Sequence, residues 1–162
     1  MPILTPSINI INSVLSLIEK DFQVRFTLDG ASNFGCPIRS YQGNRLPYCS
    51  RYHDGGNTYR NFLSLRFDQM LGETIWLFCP KTQETKFLTY FLSFSRRPRL
   101  IFLLLQHNEG DNLLPLLHRH QARYRVYKDH GYLSKAVKNR RARERYIFRG
   151  LLHVFLIEAQ KT

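Results

Sequence analysis

The residues whose types and spacing point to chemistry are cations near the carboxyl terminus. Residues 118–162 carry twelve Lys or Arg against three acids, Asp129, Glu144 and Glu158, so net +9 of the formal +12 lies in the last quarter. Written as a helix over 134–160, with Ser134 as its cap, the segment places Lys135, Lys138, Arg141, Arg145 and Arg149 within an arc of about 120°. Leu133, Val137, Ile147, Leu151 and Phe155 fall on the opposite side. Arg140 and Arg143 widen the basic face, and Arg119, Arg123, Arg125 and Lys128 can join it from a preceding helix over 111–128. Cations one helical turn apart match a phosphate backbone and release its counterions. The plainer alternative is a solvated helix face, or one that docks on an acidic protein. No short polar base-readers accompany the cations, so any nucleic-acid binding is expected to be phosphate-dominated and poor in sequence discrimination.

Other chemistry is harder to assemble. Asn112-Leu113-Leu114-Pro115-Leu116-Leu117-His118-Arg119-His120 resembles the end of the HNH nuclease motif of group II intron proteins, which would imply a metal and a catalytic histidine. That family continues with Cys-His, whereas Gln121-Ala122 follow here, and His107 lies only five residues before Asn112. On a helix His118 and His120 point about 160° apart, so they do not share one ion. No Ser-His-Asp, Cys-His or paired-carboxylate set emerges from spacing, and no glycine-rich phosphate loop is present. A protein without catalytic or metal site residues is expected, and no cofactor or cavity ligand can be named. Cys36, Cys49 and Cys79 are odd in number and irregularly spaced, which predicts reduced, unbridged thiols.

These groups need a frame, and its centre is the apolar stretch Lys86 to Gln106. Two strands, 87–94 and 99–105, joined by Ser-Arg-Arg-Pro, are expected there, with a helical hairpin as the rival. In the second strand Ile101, Leu103 and Leu105 back onto Leu100, Phe102 and Leu104, so neither face suits water. Two covers are required. A helix from Ser7 to about Asp21, with Ile8, Ile11, Val14 or Leu15, and Ile18 at helical spacing, supplies one. A partner copy can supply the other, which predicts a homodimer through that helix and the outer sheet face.

Gln23 to Leu28 alternates in a way that suits a half-buried strand or an extended lead-in, and Asp29-Gly30 reads as the turn that ends it. Cys36–Arg39 and Leu46–Cys49 read as short strands around a turn at Tyr41-Gln42-Gly43-Asn44. Here the chain resembles a PAS domain. Ile38, Arg39, Gly43, Leu46 and Phe62 follow that family's first hairpin and its following helix, while Ser50 stands where the family usually carries Asn. Short helical turns over 54–70 and strands at 74–79, 86–94 and 99–106 extend the likeness to residues 8–107. The resemblance implies an α+β fold with a five-stranded antiparallel sheet behind an amino-terminal helix. The hairpin and Gly-Asn turn are also distantly similar to those of PAS-containing activators of plasmid conjugation genes, which implies a sensory and dimerisation domain at 1–110. Residues 111–162 would then be a basic two-helix tail that binds DNA.

The expectation is therefore a non-enzymatic transcription regulator with nucleic acid, most simply DNA, as partner. An interaction protein docking on an acidic partner and a metal-dependent nuclease are the alternatives. The Ile8 to Ile18 run lacks a charged flank and is broken by Asn9, Asn12, Ser13 and Ser16, and no run approaches the roughly 20 apolar residues of a membrane span. A cytoplasmic protein is expected.

Overall fold

The computed structural model describes residues 8–32, 46–50, 61–79, 81–104, 109–128 and 153–162. In chain order they form helix α1 (Ile8–Phe22), strands β1 (Leu28–Ser32), β2 (Tyr48–Ser50) and β3 (Thr74–Leu77), helix α2 (Glu84–Leu92), strand β4 (Arg99–Leu104), helix α3 (Glu109–Arg119), and strands β5 (Tyr124–Lys128) and β6 (His153–Ile157). Short 3-10 turns lie at Phe62–Ser64, Phe67–Gln69 and Lys81–Gln83.

The six strands make one sheet in the order β2-β1-β3-β4-β6-β5. β2, β1, β3 and β4 pair in parallel, whereas β6 is antiparallel to both β4 and β5. β5 therefore points the same way as β1 to β4, and β6 is the reversed strand between them. The mixed α and β content matches expectation; the strand directions do not. Where the PAS resemblance implied five antiparallel strands, the described residues form a six-stranded mixed sheet whose first four strands in spatial order are parallel. The 111–162 segment, expected as a helical tail, contributes α3, β5 and β6 to this same sheet and core.

Both faces of β4 are buried, as its sequence requires. Leu100, Phe102 and Leu104 pack with Leu88, Phe91 and Leu92 of α2 and Leu113, Leu116 and Leu117 of α3. Ile101 and Leu103 pack on the other face with Val14, Leu15 and Ile18 of α1. The covers come from the chain itself, which removes the motive for closing that face with a second copy. Lateral register extends each face across the sheet. Leu28, Ile75, Leu100, Ile157 and Tyr124 form one row, and Asp29, Trp76, Ile101, Leu156 and Arg125 the next.

Four local expectations are corrected. Residues 84–92 are helical because Leu88, Phe91 and Leu92 are buried at helical spacing, while Thr85, Lys86, Thr89 and Ser93 share the exposed side. Residues 124–128 are a strand because α3 stops at Arg119. Gln121 there adopts φ 53° and Ala122 N–H donates back to the Leu117 carbonyl at 3.0 Å, a left-handed helix stop. Residues 153–157 are a strand because all five are buried, which one helix face cannot do. Asp29-Gly30 lies inside β1 instead of turning. A Cβ on Gly30 would sit 3.1 Å from both Leu77 Cδ1 and Phe62 Cδ2 and 3.2 Å from the Trp76 carbonyl oxygen, so glycine serves close packing there.

Candidate nucleic-acid interface

The described cations gather where β6 leaves the sheet. Beyond Ile157 the chain runs between the start of β4 and the start of β5. Arg97 N–H donates to the Gln160 carbonyl at 2.7 Å and Gln160 N–H returns a bond at 2.9 Å, while on the other side Glu158 N–H donates to the Arg123 carbonyl at 2.9 Å. Cations attached to both flanking segments are thereby brought to one edge.

Glu158 is the carboxylate of this edge, and two arginines share it. Arg125 Nη2 lies 3.3 Å from Oε1 and Arg99 Nε 4.0 Å from Oε2. Arg125 keeps 58% of its side chain exposed, with its guanidinium carbon 6.0 Å from the Phe22 ring centroid. Arg96 is exposed and donates from Nε to the Lys161 carbonyl at 3.3 Å. Arg123 and Lys161 are exposed as well. Two arginines thus share one carboxylate, with three further exposed cations on the segments that flank it, and partly exposed pairs of this kind leave most of the field open to solvent.

Beneath the rim sits Arg97, 2% exposed. Its Nη1 donates to the Phe94 carbonyl at 2.7 Å and its Nη2 to Gln160 Oε1 at 2.9 Å, with the guanidinium 5.9 Å from the Phe91 ring centroid. Burial lowers its pKa. This arginine holds the carboxyl-terminal segment against β4 and so sets the rim's shape.

Of the cations singled out in the sequence, Arg123 and Arg125 reach this rim. Lys128 closes the far end of β5, paired in register with His153. Lys135, Lys138, Arg140, Arg141, Arg143, Arg145 and Arg149 lie outside the described residues. Arg96, Arg99 and Lys161 were missed. The signal for two of them is visible as Arg96 within the Ser-Arg-Arg-Pro turn and Arg99 at the head of the strand that follows it, each read only for its place in the backbone.

The histidine and cysteine candidates do not converge. His118 Nε2 lies 2.7 Å from the Tyr124 hydroxyl, a surface pair linking α3 to β5. Among the described residues no group of three or more His, Cys, Asp or Glu could hold a metal ion. Cys49 and Cys79 are free and buried, while Cys36 lies outside the described residues. Burial, reinforced by Asp29, pushes the Cys49 thiol well above its ordinary value, and burial with Glu84 pushes Cys79 to about 12, so neither is a ready nucleophile.

A second polar feature lies on the α1 side of the sheet. Asp29 is fully buried on β1, its Oδ1 accepting from Ala31 N–H at 3.0 Å. Its Oδ2 has no hydrogen-bond partner among the described residues, and neither does Nε1 of Trp76, its register neighbour on β3. Desolvation raises the Asp29 carboxyl from 3.8 to about 7, against the lowering effect of the Ala31 bond.

No family model matches this chain, and no curated protein or solved structure matches it either. Among the described residues no helix is long and apolar enough to cross a membrane.

Proposed function

We propose that this chain is a nucleic-acid-binding protein that recognises phosphates through the rim of Arg96, Arg99, Arg123, Arg125 and Lys161. The observation that carries the reading is the sharing of Glu158 by Arg99 and Arg125, with further exposed cations on both sides of it. Arg99 and Arg125 share that one carboxylate, and exposed Arg96, Arg123 and Lys161 lie on the flanking segments, so the cations here outnumber the pairs they make with Glu158. Residues 118–162, which supply Arg123, Arg125 and Lys161 to the rim, carry net +9. Regulation of transcription is a narrower role within this class and would require preference for one duplex sequence, for which the rim offers no base-reading group.

The test is fluorescence anisotropy with a labelled 20-mer oligonucleotide over about 50–300 mM salt. Binding should weaken linearly in log–log form, with roughly −0.7 to −0.9 per phosphate neutralised. Replacing Arg96→Gln and Arg123→Gln together should weaken binding to all sequences alike and reduce the slope by about 1.5, with melting unchanged. Equal affinity for polyglutamate of matched charge would favour an acidic protein partner instead. Absence of oligonucleotide binding at 50 mM salt would refute the proposal.

A further inference from the structure

β5 ends the sheet among the described residues, pairing with β6 along one edge. Its backbone groups can be assigned to the two edges. Tyr124 stands opposite Ile157, which sets Arg123 opposite Glu158, and Glu158 N–H donates to the Arg123 carbonyl at 2.9 Å. Bonded and unbonded pairs alternate along an antiparallel ladder, so Arg125 and Tyr127 also turn their N–H and C=O groups towards β6. Tyr124, Val126 and Lys128 turn theirs outward. Val126 is also the exposed large hydrophobic of the described residues, at 37%. Edge strands are commonly closed to pairing by a proline or a bulge, whereas β5 runs through five residues in unbroken register with neither.

The occupant this edge fits is itself. An antiparallel second copy, related by a two-fold axis at Val126, sets each Val126 against the other, Arg125 against the partner's Tyr127, and Tyr124 against the partner's Lys128. No cation then faces a cation, and every outward N–H and C=O meets its complement: two bonds at the Val126 pair and two at each Tyr124–Lys128 pair, about six in all. Moving the axis breaks this. At residue 125 it sets Arg125 against itself, at residue 127 it pairs only residues 126 to 128 of the strand, and between residues it sets outward groups against groups already bonded to β6. Arg125 has the surface to meet a ring, since 58% of its side chain is exposed; it lies over Phe22, against which Tyr127 packs at 4.7 Å. In the pair, the partner's Arg125 approaches that Tyr127 and extends the cluster across the axis. In sequence the complementarity runs one residue further, since Arg123 precedes Val126 by as much as Asp129 follows it. We infer that two copies of this chain join edge to edge through β5, centred on Val126, into one continuous sheet. One strand pair is a small contact, so the dimer is weak, with a Kd of roughly 10–100 µM.

The test is analytical ultracentrifugation of the full chain from about 5 to about 500 µM at about 100 and about 400 mM salt. A monomer–dimer equilibrium is expected, and it should tighten with salt because both copies carry +12, opposite to nucleic-acid binding, which weakens. Val126→Lys and Val126→Glu should each weaken association at least tenfold. An equimolar mixture of the two should regain it, because an axis at Val126 sets position 126 against itself. Amide exchange of the wild type, which needs no variant, should slow severalfold at the high concentration for Tyr124, Val126 and Lys128 and stay unchanged for Arg125 and Tyr127. A monomer throughout would overturn the inference, and the edge would then belong to a segment of the same chain or to a strand of another protein. A dimer that the variants leave intact, or that protects none of the three amides, would place the contact elsewhere and overturn it as well. Variants that weaken association without rescuing each other would refute the Val126 register.

Discussion

Asp29 offers the sharpest test of the fold's energetics. The carboxyl is fully buried on a central strand, with one oxygen bonded to Ala31 N–H and the other without a partner among the described residues. Burial raises its pKa from 3.8 to about 7. Below about pH 4 it is protonated folded or unfolded, so ionisation makes no difference. Between about 4 and 7 the unfolded chain releases that proton while the folded chain retains it, and stability falls as pH rises. Above about 7 both forms are ionised and the loss levels off. Three units at 1.36 kcal/mol each give a total of roughly 4 kcal/mol. Asp29→Asn removes the titration, and other groups, including all six histidines, remain common to both proteins. Urea unfolding can be followed by the fluorescence of Trp76, the chain's single tryptophan, which is 4% exposed and the register neighbour of Asp29. The stability of wild type minus variant should fall by up to roughly 4 kcal/mol from pH 4 to pH 8, most of it before pH 7. A constant difference across that range would show that Asp29 is hydrated or paired and that its burial is not what the fold implies.

Two further outcomes follow from local geometry. Arg97→Ala should cost about 2–4 kcal/mol in urea unfolding, because it removes two charge-assisted bonds and leaves the Phe94 carbonyl and Gln160 Oε1 without their donor; a loss under about 0.5 kcal/mol would show that the clasp on the last segment is dispensable. Gln121→Gly should raise stability by up to about 1 kcal/mol, since φ 53° is strained for a side chain and free for glycine. A lower melting temperature in that variant would mean that the glutamine side chain contributes more than its backbone costs.

The elements legible in the sequence were those whose periodicity left one solution. Helix α1 follows from Val14, Leu15 and Ile18 at helical spacing, and β4 from a six-residue apolar run too short for a helix. The division of β4 into Leu100, Phe102 and Leu104 against Ile101 and Leu103 is the division between the two cores. Where an apolar run was short, the period was ambiguous. Residues 87–94 satisfied both alternation and helical spacing, and the polar set Thr85, Lys86, Thr89 and Ser93 decided for a helix. At β5 the reverse happened, because no Gly or Pro marked the end of α3 and a glutamine took the left-handed position instead.

Composition and pattern by themselves determined that the chain is strongly basic towards its carboxyl terminus, that β4 must be covered on both sides, and that its first long element is a helix. These are properties of single residues and near neighbours, and they survive any arrangement of the rest. The tertiary structure alone decided that β6 enters between β4 and β5, and with it the order of the sheet, because strand pairing depends on partners far apart in the chain. That insertion carries Glu158 and Lys161 between Arg96 and Arg99 on one side and Arg123 and Arg125 on the other. A cationic rim drawn from three separated segments has no local period, so charge counting along the sequence shows the excess of cations but not the edge at which the fold collects them.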